Sequence, residues 1–253
     1  LLIARAEDDQ EDVAKKMVRY NSTIVPVVGK EDYFLGVITS STLIDIIEKE
    51  SAENVYRMSA MTPVKGTYFD VSFMRLLYQR CSILTFLLLL QSLSSMILSS
   101  YDALISSAGA GILVQFLVTL TSTGGNAGSQ TSAMIIQGMA SGEIHQTNVK
   151  KFLKREMSMA FAIASVLGLI SFLRVYITCG NLLASFAVSV SLAVIVTFAI
   201  FLGSSMPILL RRLDIDPAYS AGPALTTLID IMGVFIYCSI SQQIFSYFAQ
   251  FSC

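Results

Sequence analysis

Hydrophobicity divides this chain near residue 80. Before that point apolar positions come in short runs broken by charge. After it, five long apolar segments follow one another, at about 81–100, 104–136, 157–177, 182–210 and 218–250. Each is near or above the ~20 residues that a spanning helix needs, so this part is expected to be a membrane domain of five helices.

The first 50 residues have the shorter periods of a small α/β unit. Residues 1–4 form a short apolar strand, and 9–20 a helix with Val13, Met17 and Tyr20 on one face at i, i+4 and i+7. Residues 24–28 read as a strand interrupted by Pro26, hence an edge or bulged strand. A turn at 29–32 leads to a strand at 34–39. Ser41 or Thr42 can then cap a helix starting at Leu43. Ile44, Ile47, Val55 and Met58 carry the helical period past residue 50, opposite Glu48, Glu50 and Glu53. This stretch reads either as a solvated connector or as a carboxylate cluster able to bind a hard divalent cation through oxygen.

Charge orients the spans. The connections at 101–103 and 179–181 hold no Lys or Arg, whereas 138–155 holds Lys150, Lys151, Lys154 and Arg155, and 211–217 holds Arg211 and Arg212. Arg75 and Arg80 precede the first span. By the positive-inside rule the basic connections and the N-terminal unit are cytoplasmic, and five spans put the C-terminus outside. Arg174, near the outer end of the third span, is expected to snorkel to the headgroups.

Composition removes several classes. There is no basic face with interleaved aromatics for nucleic acid. Cys81, Cys179, Cys238 and Cys253 have no ligand spacing and read as small hydrophobes. His145 is the lone histidine and lies in a basic loop, which leaves no intramembrane histidine for catalysis, so the chain does not read as an enzyme. No phosphate loop is found, since no Lys follows the glycines at 124–128. The chain opens directly in a domain, without Met and without a leader pattern, and is expected to be a fragment lacking N-terminal sequence.

Two features carry candidate chemistry. Asp230 lies about 12 residues into the last apolar run, roughly 18 Å at 1.5 Å per residue. An ionised carboxylate in mid-bilayer costs at least ~2.5 kcal/mol, so it reads as facing an ion or water path, or else as a hydrogen-bonded Asp that ties helices together. The second span is rich in glycine, serine and threonine (STGGNAGSQTSAM) and suits close helix packing. Gly124, Gly125 and Asn126 are also expected to loosen the helix and free carbonyls, which membrane depth tolerates only along a buried or wet path. Oxygen donors without nearby Cys or His favour a hard ion.

Two resemblances sharpen the picture. IVPVVGKEDYFLGVITSSTLIDII resembles the second half of a cystathionine-β-synthase (CBS) module, a pairing unit that senses ligands; Thr42 stands where nucleotide-binding versions have Asp. STGGNAGSQTSAMIIQGMASGEI and DPAYSAGPALTTLIDIMGVFIY are similar to the MgtE family of magnesium channel-transporters, and the order of segments fits as well. The resemblance implies an α-helical membrane protein with five transmembrane helices per subunit, preceded by a small α/β CBS module. Its parts are a CBS module at 1–50, a connecting (plug) helix at 51–80, the helix itself running over 44–79, and a pore domain at 81–253. Family members also carry an acidic helical domain and a first CBS module upstream.

The resemblance further implies a homodimer in the plasma (inner) membrane that moves Mg2+ into the cytoplasm down its gradient. Asp230 matches the central pore carboxylate, Asn126 the Asn of the glycine-rich motif, and Gly222 and Thr226 the backbone lining the ion site. Mg2+ is then both cargo and regulator, with Glu48, Glu50 and Glu53 as regulatory ligands, although Lys49 and Ser51 interrupt the fuller acidic run of relatives. The competing readings are a channel-like transporter for Co2+ or Mn2+, and a membrane-anchored CBS sensor.

Overall fold

The computed structural model describes residues 2–61, 71–101, 110–144 and 147–251. The start of the second expected span (104–109), residues 62–70 of the expected connecting helix, His145 and Cys253 lie outside them. The chain forms two compact units, Leu1–Arg57 and Met58–Cys253.

The first unit runs β1 (Ala4–Arg5), α1 (Gln10–Arg19), β2 (Ile24–Val28), β3 (Phe34–Thr39) and α2 (Ser40–Met58). Asp9 caps α1 by accepting the Glu11 amide at 2.8 Å. Glu11 and Asp12 fill its first turn and Lys16 and Arg19 its last, the arrangement that the helix dipole favours. Ala4, Val13, Met17 and Val25 form the core, with Leu43 packed against it.

The sheet order is β1-β2-β3, with β1 parallel and β3 antiparallel to β2. The strand carrying Pro26 is therefore central, which corrects the edge reading, whereas the irregular register next to Pro26 agrees with the bulged one. Pro26 is tolerated because β1 reaches only Val27 and Val28, so Pro26 has one neighbouring strand, and the register shifts between Val27 and Val28. The helix after β3 starts at Ser40, earlier than expected, with the Thr39 hydroxyl 2.8 Å from that of Ser41.

The expected continuous helix over 44–79 is also corrected. α2 ends at Met58, and Ala60 takes a left-handed φ of 54° that a helix cannot continue through. The next helix among the described residues, α3 (Phe73–Ser100), is the first span itself, extended seven residues before Arg80.

The second unit continues with α4 (Ala110–Ala140), α5 (Val149–Cys179), α6 (Leu182–Arg212), a short 3-10 turn (Pro217–Ser220) and α7 (Pro223–Phe251). Among the described residues four segments are long and apolar enough to span: Phe73–Ser100, Val149–Cys179, Leu182–Arg212 and Pro217–Phe248. α4 is as long, 31 residues, but its Gly, Ser, Thr, Asn and Gln lower its hydropathy. α6 packs against α4, α5 and α7, whereas α3 lies against α7. Half of α6's apolar stretch is buried, against 6% for α3. Phe116 and Leu120 of α4, Ala160, Ala164 and Val175 of α5, and Ile195, Val196 and Ile200 of α6 share one core.

Lipid is as apolar as leucine, so helix association rests on close packing and interhelical hydrogen bonds. Ser189 of α6 donates to the Gly168 carbonyl of α5 at 2.5 Å. The tightest approach is between α4 and α6, where a Cβ on Gly203 would fall on the carbonyl oxygen of Gly128.

Candidate functional site

The segment before α7 is built residue by residue. Asp216 accepts the Ala218 amide at 2.8 Å, which starts the 3-10 turn behind Pro217. The hydroxyl of Ser220 lies 3.3 Å from that of Ser132, a buried contact that ties the turn to α4. Gly222 then takes φ 80°, a conformation open to glycine, and Pro223 opens α7. A side chain at Gly222 would collide with the carbonyl oxygen of Met58, the first residue of the same unit. Thr226 donates its amide to the Gly222 carbonyl at 3.1 Å, and its hydroxyl lies 3.0 Å from the Pro223 carbonyl.

Asp230 follows Thr226 by one turn, and the stripe Gly222, Thr226, Asp230 lies at intervals of four residues. Asp230 is half-buried. Because α7 starts at Pro223, Asp230 is only two turns, about 10 Å, from the helix start. The apolar span itself runs Pro217–Phe248, so Asp230 lies near its middle, where an ionised carboxylate is costly without a partner. The Gln91 side chain of α3 hydrogen-bonds it, and Tyr101 and Ser239 pair their hydroxyls at 2.9 Å further along the same two helices. Gln91 was not singled out in the sequence. Its signal was a lone amide inside the run FLLLLQSL.

The glycine-rich segment does not unwind, contrary to expectation: α4 is continuous through Gly124, Gly125 and Asn126. Its glycines are needed for approach. A Cβ on Gly124 would meet Ile195 and Ile229 methyls at 2.6 and 3.1 Å, and one on Gly125 would sit 3.5 Å from Thr226. Gly233 lies against Thr121. α4 and α7 therefore run antiparallel with Gly125 level with Thr226, which puts Asn126 level with Leu225 and Thr226, about one turn from Asp230. Ser122, Asn126 and Gln130 are exposed at successive intervals of four, a polar stripe on the side away from the buried glycines.

The acidic residues of α2 do not act as one group. Glu48 and Glu50 stand about 200° apart around the helix. Glu48 borders a groove with Ile44, Ile47, Ser51 and Val55. Glu53 is paired with Arg57 at 2.8 Å. Among the described residues no three Asp, Glu, His or Cys side chains are gathered as a metal site. Burial, then the charge of Glu11 and those of Glu53 and Asp9, raise the Glu50 pKa, with Arg57 opposing. Glu11 and Asp9, on α1, are the partners that sequence spacing did not reveal.

A raised carboxylate pKa means that the folded unit binds the proton more tightly than the unfolded chain, so stability falls as pH rises from the unfolded to the folded pKa. Glu50→Gln is therefore expected to melt higher than the unsubstituted protein at neutral pH, with the gap closing in acid below the ordinary Glu range. Equal melting at neutral pH would contradict this.

Arg174 places its guanidinium 5.9 Å from the centre of the Phe116 ring, a cation–π contact added to the expected snorkelling.

The chain is similar to known proteins. Residues 117–240 match the MgtE family, described as a divalent cation transporter, and residues 1–49 match the CBS domain. The magnesium transporter MgtE of Thermus thermophilus is 31% identical over 242 residues, which is 96% of this chain and 53% of that protein. Those of Enterococcus faecalis and Bacillus subtilis are 31% and 30% identical, over 95% of this chain and 52% of theirs. The chain thus spans about half the length of the curated relatives it matches. With an MgtE-matched helical membrane unit following a CBS domain in the same order along the sequence, this chain belongs to the MgtE family.

Proposed function

We propose that the membrane unit forms the ion-conducting part of a magnesium channel or channel-like transporter, with Mg2+ as cargo and Asp230, Asn126, Gly222 and Thr226 along its path. The observation that carries this reading is the Asp230 carboxylate, in line with Gly222 and Thr226 and about one turn from the exposed Asn126 of α4. Mg2+ gives up its waters reluctantly. Asp230, the Asn126 amide oxygen and backbone carbonyls suit hydrogen bonds from those waters. Flux into the cytoplasm needs no ATP, since a divalent ion gains about 4.6 kcal/mol per 100 mV of inside-negative potential. The direct test is uptake of magnesium into liposomes holding the purified chain under an imposed potential; a rate equal to that of empty liposomes sinks the reading.

The exposed polar stripe Ser122, Asn126, Gln130 supports a homodimer. Facing lipid it would be costly, whereas two copies related by a two-fold axis would turn it and Asp230 toward a shared path. Native mass spectrometry of the conducting preparation checks this, and a conducting monomer contradicts it. The basic ends at Lys150–Arg155 and Arg211–Arg212 support a cytoplasmic N-terminus, an outer C-terminus and a plasma-membrane location.

A second proposal is gating by cytosolic Mg2+. The clustered charge around Glu50 supports a cation that relieves repulsion, with Glu53 as a further ligand, Glu48 on the opposite side of α2 serving a separate contact with the ion, and the chain beyond α2 as the moving part. Moving a 1:9 closed-to-open ratio to 9:1 needs about 2.6 kcal/mol. Replacing Glu48, Glu50 and Glu53 by Gln should abolish inhibition by magnesium on that face; unchanged inhibition would place the sensor elsewhere.

The breadth of the matched family, divalent cations, keeps Co2+ and Mn2+ as alternative cargo, and competition in the liposome assay separates them. A membrane-anchored sensor is disfavoured because an anchor needs neither Asp230 nor the tightly packed α4.

A further inference from the structure

The start of α5 is charged against its own dipole. Its first two turns hold Lys150, Lys151, Lys154 and Arg155, all exposed, with no acidic residue in the first turn. Cations at a helix N-terminus are disfavoured, and α1 of the same chain is arranged the opposite way. None of the four is paired with a carboxylate among the described residues. The nearest acidic residues in sequence are Glu143 and the half-buried Glu156.

The fold fixes where these charges point. Val149, just before them, and Phe152, between them, pack against Ile135, Met139 and Ile144, together with Ile208 of α6. The basic side chains are left on the outer side of the helix. Arg211 and Arg212, also exposed, follow Ile208 by one turn and so lie at the same end. α5 has 31 residues, about 46 Å at 1.5 Å per residue, against a hydrocarbon layer of ~30 Å. The first turns of α5 therefore project into the headgroup layer.

We propose that this face, Lys150, Lys151, Lys154 and Arg155 with Arg211 and Arg212, binds the anionic headgroups of phospholipids in the adjacent leaflet. The ligand chemistry is a phosphate monoanion held by several cations at membrane level, which a water-soluble acidic partner would have to reach across the headgroups. Because Val149 and Phe152 seat on Ile135 and Met139, bound lipid also steadies the end of α4, the helix that carries Asn126.

The test compares the full chain in nanodiscs of phosphatidylcholine with and without phosphatidylglycerol, by melting temperature and by native mass spectrometry of retained lipid. Expected results are higher melting with phosphatidylglycerol, loss of the increment at high salt as the Debye length shrinks, and no replacement by inorganic phosphate in solution. Each cation removed should weaken phosphatidylglycerol retention about fivefold. The pair Lys150→Gln and Lys151→Gln should thus lose most of the increment, while Lys150→Arg and Lys151→Arg keep it. If the Gln pair fails to insert, the salt dependence of the unsubstituted protein decides. An increment that is absent, survives in the Gln pair, persists at high salt or is reproduced by free phosphate overturns the proposal.

Discussion

Asp230→Ala, correctly inserted, is expected to lose about two orders of magnitude of magnesium uptake. A carboxylate and a doubly charged ion one water layer apart, roughly 5 Å, attract by about 3 kcal/mol at an effective dielectric of ~40. That is the interaction Asp230 offers a hydrated ion beside Thr226. Asp230→Asn should fall nearly as far, since it keeps the shape and the reach to Gln91 but removes the charge. Asp230→Glu should keep part of the flux. The measurement is initial uptake in liposomes at matched protein density under a fixed potential. Unaltered flux in Asp230→Ala would remove this residue from the path.

Gly203→Ala is expected to destabilise the membrane unit by about 3 kcal/mol, the upper end of overpacking costs. The added methyl would fall on the Gly128 carbonyl oxygen and 3.1 Å from its Cα. Both are backbone atoms of α4 and cannot rotate away, so the helices must separate. Gly168→Ala is the control, because its Cβ would find its nearest neighbours at 3.5–3.7 Å, ordinary contact. Thermal unfolding in detergent should show a large drop for the first variant and little change for the second. Equal midpoints would mean that the α4–α6 crossing is looser than its geometry.

Gly124 is an intermediate case. Its Cβ would meet methyl groups of Ile195 and Ile229, and side-chain ends can give way where a carbonyl cannot. The same motif therefore mixes positions with very different tolerance, although all its glycines look alike as letters.

Much of the fold was legible in the chain itself. The strands at 24–28 and 34–39 and the helix after Asp9 lie where hydrophobic period put them, whereas the cap expected at Ser41 or Thr42 did not mark the start of α2 at Ser40. The long helices were legible because bilayer thickness imposes length and apolarity on each one separately. Asp230 stood out for a similar reason: a carboxylate within an apolar run is costly wherever the neighbours lie.

What tertiary structure decided was everything that depends on a second element. Pro26 read as an edge or bulge marker; β2 is central between β1 and β3, and Pro26 is tolerated because β1 is too short to reach it, with a register shift just beyond. The period of Ile44, Ile47 and Val55 could not foresee the left-handed turn at Ala60. Helical angle alone divides Glu48 from Glu50, but only packing put Glu11 and Asp9 beside Glu50. The glycines of α4 suggested both close packing and a loosened backbone; the helix stays continuous, and they serve approach to Ile195, Ile229, Thr226 and Ala199. Gln91 gained meaning only when α3 was laid alongside α7. A sequence records the local preference of each residue strongly and its distant partners weakly, and close contacts between helices are set by pairs of residues far apart in the chain.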